Sequence, residues 1–150
     1  MFDFLAGLLS RLSPTRRMLG SRGVGQAWED LAAAHLRRSG YRILERNFRS
    51  PPGEIDFIAM DGPVLCFVEV KGRHGLRFGL PEEAVTVEKQ RRIFRAAQEY
   101  LRRARPAPGK RRFDVVSILE GEGRPAIRIL RDAFEGPPAR RRRPGGHPAC

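Results

Sequence analysis

With 150 residues and 41% hydrophobic content, the chain has the material for one domain with a real core, which excludes a disordered or fibrous polymer. A formal net charge of +12 predicts a positive field that concentrates polyanions and makes their binding salt-dependent, so nucleic acid leads the partner classes, ahead of acidic membranes and proteins. Two cysteines, Cys66 and Cys150, exclude a disulfide framework and a cysteine metal site, and suit a reducing cytoplasm.

MFDFLAGLLSRL opens the chain with a short helical stripe at Phe2, Leu5, Leu8, Leu9 and Leu12 but no basic leader or small-residue cleavage site. It is too short to span a bilayer, and a packed or frayed extension is expected in preference to a membrane-surface anchor. Residues 13–23, SPTRRMLGSRG, read as a linker, punctuated by Pro14 and glycines. The expected division is an extension and linker over 1–22, a domain over 23–134 and a disordered basic tail over 135–150.

From Gly25 to Arg38, Trp28, Leu31, Ala32, His35 and Leu36 recur at helical spacing, and Gly40 sits where a C-cap wants a left-handed residue. Residues 41–48 alternate as a strand, SPPG turns the chain, and strands over 54–60 and 64–71 form a hairpin around Asp61 and Gly62. The second hairpin strand is apolar on both faces, with Cys66, Val68 and Val70 on one and Leu65 and Phe67 on the other, as a covered central strand should be. A glycine-punctuated loop over 72–81 leads to a long basic helix from Thr86 to Arg103. That helix buries Ile93, Ala96, Ala97, Tyr100 and Leu101 and turns Arg91, Arg92, Arg95, Arg102 and Arg103 outward. Strands FDVVSIL and AIRILR follow around an EGEGRP turn.

Charges stand out inside the hairpin EIDFIAMDGPVLCFVEVK. Side chains two apart on a strand share a face, so Glu69 and Lys71 project together while Asp56 comes from the neighbouring strand. Two carboxylates so placed offer hard oxygen ligands for Mg²⁺ or Mn²⁺ held jointly with substrate phosphates, and the Val70 carbonyl adds a further candidate ligand. Such an ion lowers the pKa of bound water and neutralises charge on an attacked phosphodiester. The Lys71 ammonium then stabilises that charge or orients the water. Lysine is rare here, at Lys71, Lys89 and Lys110 only, so its use in the hairpin points to a job guanidinium does not do, and Lys89 shares that argument more weakly. The competing reading is an ion-pair cluster without chemistry, since E-x-K alone is common. Acid, hairpin turn, buried strand, E-x-K and basic helix in that order favour the site.

G-x-x-x-E-x-x-A at Gly25, Glu29 and Ala32, then NFRSPPGEIDFIAMDG, FVEVKGR, EAVTVEKQRR and RFDVVSI, resemble the YraN-like family of uncharacterised bacterial proteins from about Gly25 to Ile118. That family looks like the PD-(D/E)xK nucleases, closest in outline to the archaeal Holliday junction resolvases. The resemblance implies an α/β restriction-endonuclease-like core, a mixed sheet flanked by helices. It makes Asp56 and Glu69 metal ligands, Lys71 the catalytic lysine, and Glu29 the first-helix acid that reaches the metal directly or through water. Two positions depart from the pattern: Ile55 stands where the superfamily name has proline, and Gly72 where the family often has threonine.

Smaller candidates are Glu54, facing with Asp56 but more often solvated at a strand entry, and Asp114, for which pairing with Arg111 or Arg112 competes with a site role. The expected function is a metal-dependent endonuclease on DNA, branched or single-stranded. Arg49, Arg73, Lys89, Arg91, Arg92 and Arg95 would contact phosphates, and a junction-cutting enzyme would be a homodimer. The alternatives are a non-catalytic nucleic-acid-binding adaptor and, less favoured, a membrane-peripheral protein using both tails.

Overall fold

Two helices, α1 (Ser21–Arg38) and α2 (Val87–Ala104), cover the two faces of one five-stranded mixed sheet in this computed structural model, which describes residues 21–75, 85–104 and 109–136. The apolar N-terminal stripe, most of the linker and nearly all of the basic tail lie outside those residues. The strands are β1 (Arg42–Ser50), β2 (Gly53–Asp61), β3 (Val64–His74), β4 (Arg111–Glu120) and β5 (Ala126–Phe134), adjacent in chain order. Only β3 and β4 run parallel, because α2 carries the chain back between them; the other neighbours are antiparallel. This is the α/β, restriction-endonuclease-like architecture expected.

The apolar alternation of β3 divides the core. Cys66 and Val68 pack with Ala32, Ala33 and Leu36 of α1. Leu65 and Phe67 pack with Ile93, Ala96 and Ala97 of α2, so the central strand is covered on both faces as its sequence requires. α1 ends in a Schellman arrangement around Gly40 at φ 90°: Tyr41 N donates to Leu36 O at 3.0 Å and Gly40 N to Arg37 O at 3.1 Å.

Three of the boundary differences from the sequence expectation bear on the sheet around the hairpin and on α1. α1 begins at Ser21, so Gly23 and Gly25 are helical; glycine in a helix costs only about 1 kcal/mol, which packing of the following turns outweighs. β3 continues through Gly72 to His74 because its parallel register with β4 runs out to Glu120. The β2–β3 loop is Gly62–Pro63, since Asp61 already pairs with Val64, and Gly62 takes the positive φ of 56° that a two-residue hairpin turn needs. No helix among the described residues is long and apolar enough to cross a membrane.

Candidate active site

The β2–β3 ladder ends at Phe57 opposite Val68, and Asp56 and Glu69 are the next residues past it, where β3 leaves β2 and continues on β4 alone. Asp56 also breaks the alternation of its own strand. Ile55 belongs to the core under α2 and Phe57 to the core under α1, although residues two apart on a regular strand share a face. The break is matched across the ladder in β1, where Asn47 adopts φ 53° between the pairs Arg46–Phe57 and Phe48–Ile55. Asparagine is one of the few side chains that tolerates that region. The Asp56 carboxylate thereby turns into the fork, where its Oδ2 accepts the Val70 N–H at 2.7 Å.

Glu69 meets it there, only 4% exposed. One carboxylate oxygen, Oε1, faces two ammonium groups, Lys89 Nζ at 3.3 Å and Lys71 Nζ at 3.6 Å. The other, Oε2, is buried with no hydrogen-bond partner among the described residues. Burial, and next the charge of Glu69, push Asp56 up from the ordinary 3.8 to about 7, against the lowering effect of the Val70 amide. Two desolvated carboxylates with one orphaned oxygen are costly unless a proton or a cation joins them. A hard divalent cation fits this all-oxygen donor set.

Asp56, Glu69 and Lys71 therefore come together as the hairpin reading expects, and Lys89 joins them from the first turn of α2. Glu29 does not join them in a larger acid cluster: its Oε2 accepts from Asn47 Nδ2 at 3.1 Å, and among the described residues no three His, Cys, Asp or Glu side chains are grouped to hold a metal ion. Nor does Glu54 follow Asp56 inward; it is exposed and pairs with Arg49 at 3.6 Å. Arg91, Arg92 and Arg95 lie exposed on α2, and Arg73 lies on β3 two residues beyond Lys71.

Behind the acids, Trp28 of α1 closes the α1 side of β3. Its indole donates from Nε1 to Glu120 Oε1 at 2.9 Å, and His74 Nδ1 lies 2.6 Å from Glu120 Oε2. A Cβ at Gly72 would lie 2.0 Å from the indole ring, so this packing requires glycine there. Asp114 is fully buried and structural: Oδ2 accepts from Tyr41 Oη at 2.8 Å, and Oδ1 from Arg112 Nε at 2.8 Å and Asp132 N at 3.0 Å. Arg112 also reaches Asp61, binding the hairpin end to β4. The sequence offered a signal for Asn47, a left-handed-tolerant residue inside a strand pattern, but none for the Trp28–Glu120 bond, whose partners are 92 residues apart.

Across residues 28–118, from within α1 through most of β4 and so the whole fork, the chain matches the Uncharacterised protein family UPF0102. It belongs to that family. A UPF0102 protein of Symbiobacterium thermophilum is 54% identical over 115 residues, covering 76% of this chain and 98% of its own length. One from Rhodococcus opacus is 49% identical over 118 residues, covering 78% and 100%, and one from Clostridium kluyveri is 40% identical over 117 residues, covering 77% and 96%. The family is the YraN-like group that the motifs resemble, and its name assigns no activity.

Proposed function

We propose that this UPF0102 protein is a divalent-metal-dependent endonuclease that hydrolyses DNA phosphodiester bonds. The observation that carries the reading is the acid pair at the fork: Glu69, buried with an unpartnered oxygen, beside an Asp56 whose charge is disfavoured by burial and by Glu69.

Asp56, Glu69 and the Val70 carbonyl would hold Mg²⁺ or Mn²⁺, with Glu29 acting from outside through water. Such an ion supplies an activated water and neutralises charge on the phosphate oxygens. The chain's own part is to hold and to orient. The Val70 amide fixes the Asp56 carboxylate, and α2 and the sheet keep Glu69 out of bulk water. Lys71, on the same face as Glu69, presents a compact ammonium to the phosphate under attack. Arg49, Arg73, Arg91, Arg92 and Arg95 carry flanking phosphates. Branched or single-stranded DNA is the favoured substrate, a symmetric dimer the form that would cut a junction, and the cytoplasm the place of action.

The test is to titrate Mg²⁺ and Mn²⁺ into wild type and Asp56→Asn with duplex, single-stranded and four-way-junction DNA, following binding and cleavage together. Metal-dependent cutting by wild type alone is expected, with binding kept or strengthened in the variant because a negative charge is removed from a basic face. Binding without cutting in any metal would favour the non-catalytic adaptor.

A further inference from the structure

Lys89 belongs to two places at once. Its Nζ is the nearer of the two ammonium groups to Glu69, and the same residue lines a cleft of about 450 Å³ between the 50–53 turn and the first turns of α2. Arg49 and Arg92 supply two further cations to that cleft and Glu54 the one carboxylate among its lining residues. Gly53 makes the close approach possible, because a Cβ there would lie 2.9 Å from the backbone oxygen of Arg92.

The main chain of Lys89 is fixed while its side chain has a choice. Its N–H donates to Thr86 Oγ1 at 3.2 Å as part of the helix cap, and α2 is anchored by buried Ile93, Ala96 and Ala97. From that fixed root a four-carbon stem carries a compact charge that reaches Glu69 or, turned outward, the cleft. In the cleft the fixed cations are partly spent, Arg49 on Glu54 and Arg92 on Glu88. The arrival of Lys89 would therefore set its affinity for an anion. A second cation on Glu69 would repel the ammonium and tip that choice.

We propose that Lys89 is a stand-in cation: it pairs with Glu69 while no divalent ion is bound, and turns into the cleft when Glu69 ligates one, there seating with Arg49 and Arg92 the phosphate next to the one attacked. The inference rests on the nuclease reading for its metal and its polynucleotide. Binding of the two ligands must then be mutually reinforcing, each raising affinity for the other by the same factor.

Two measurements on the full chain test it: calorimetric titration of Mn²⁺ into protein alone, and stopped-flow anisotropy of a short single-stranded DNA with and without Mn²⁺, read before any turnover. Lys89→Gln should bind Mn²⁺ several-fold more tightly, because a competing ammonium is gone. It should bind the oligonucleotide in Mn²⁺ several-fold more weakly, with most of the Mn²⁺-induced gain lost and a salt slope shallower by about 0.7. Arg49→Gln should weaken the oligonucleotide while leaving Mn²⁺ affinity unchanged. A fall in both affinities on Lys89→Gln would make the residue merely structural. Unchanged oligonucleotide binding in either variant would remove the phosphate from the cleft. Either result overturns the inference yet leaves the nuclease reading intact. Wild type that shows the full coupling but never cuts DNA would sink the nuclease reading alone, and wild type that binds neither ligand would sink both.

Discussion

At Asp56 the physics of one carboxyl group fixes a sign. Its folded-state pKa of about 7 stands above the ordinary 3.8, so the folded protein holds the proton more tightly than the unfolded chain does. The associated stability is fully present below about pH 4 and is lost as pH rises through 7. Metal-free wild type should therefore melt lower at pH 8 than at pH 5, by on the order of 5 °C in a domain of this size, whereas Asp56→Asn should show a flat profile over that window. Millimolar Mg²⁺ or Mn²⁺ should recover the loss at pH 8 in wild type only, because on the nuclease reading an ion would replace the proton between the two acids. Identical melting profiles for the two proteins in chelator would show that Asp56 is not the group held neutral. The same reasoning applies to Glu69→Gln, which removes the main repulsion on Asp56 together with the ion pairs to Lys71 and Lys89: metal-dependent cutting should vanish, and the fall in stability between pH 5 and pH 8 should shrink.

Between elements, the support of the site comes from contacts that join distant parts of the chain. Trp28 of α1 lies against Gly72, one residue past Lys71, and is tied to Glu120 at the end of β4. Gly72→Thr should cost about 1–3 kcal/mol by overpacking. In a Trp28→Ala background the same change should cost little, a coupling that chemical denaturation of the four proteins measures directly. Equal costs in both backgrounds would mean that the indole is not what excludes a side chain at position 72. These contacts also show where sequence reading reaches its limit. Glu69 and Lys71 were legible because strand alternation is local, and Asp56 because a hairpin needs only a turn to bring it level with them. The apolar stripes of α1, α2 and β3 were legible for the same reason. The kink at Asp56 was not, since it depends on Asn47 across a ladder and on two cores competing for Ile55 and Phe57. Lys89 reached the acids only through the packing of α2, so its scarcity in the sequence marked it out without saying where it would point.

For the whole molecule, a net charge of +12 would draw in the DNA proposed as substrate, and the question is which arginines would contact it and which would merely raise the field. The outer face of α2 divides its own charges. Glu88 pairs with Arg92, and Glu99 takes both Arg102 and Arg103 at 2.7 Å, bonds that hold its carboxyl down at about 2. Arg91 and Arg95 are exposed one turn apart and have no such partner among the described residues, so they are available to phosphate without first breaking an ion pair. Each duplex phosphate contact contributes about 0.9 to the slope of log K against log salt. Arg91→Gln with Arg95→Gln should therefore flatten that slope by about 2 and weaken binding uniformly across sequences. Arg102→Gln with Arg103→Gln removes the same net charge from the same helix. A field effect would make the two double variants equal, whereas contact by Arg91 and Arg95 leaves the second with a slope close to wild type, so comparing the pair in one salt titration separates steering from grip.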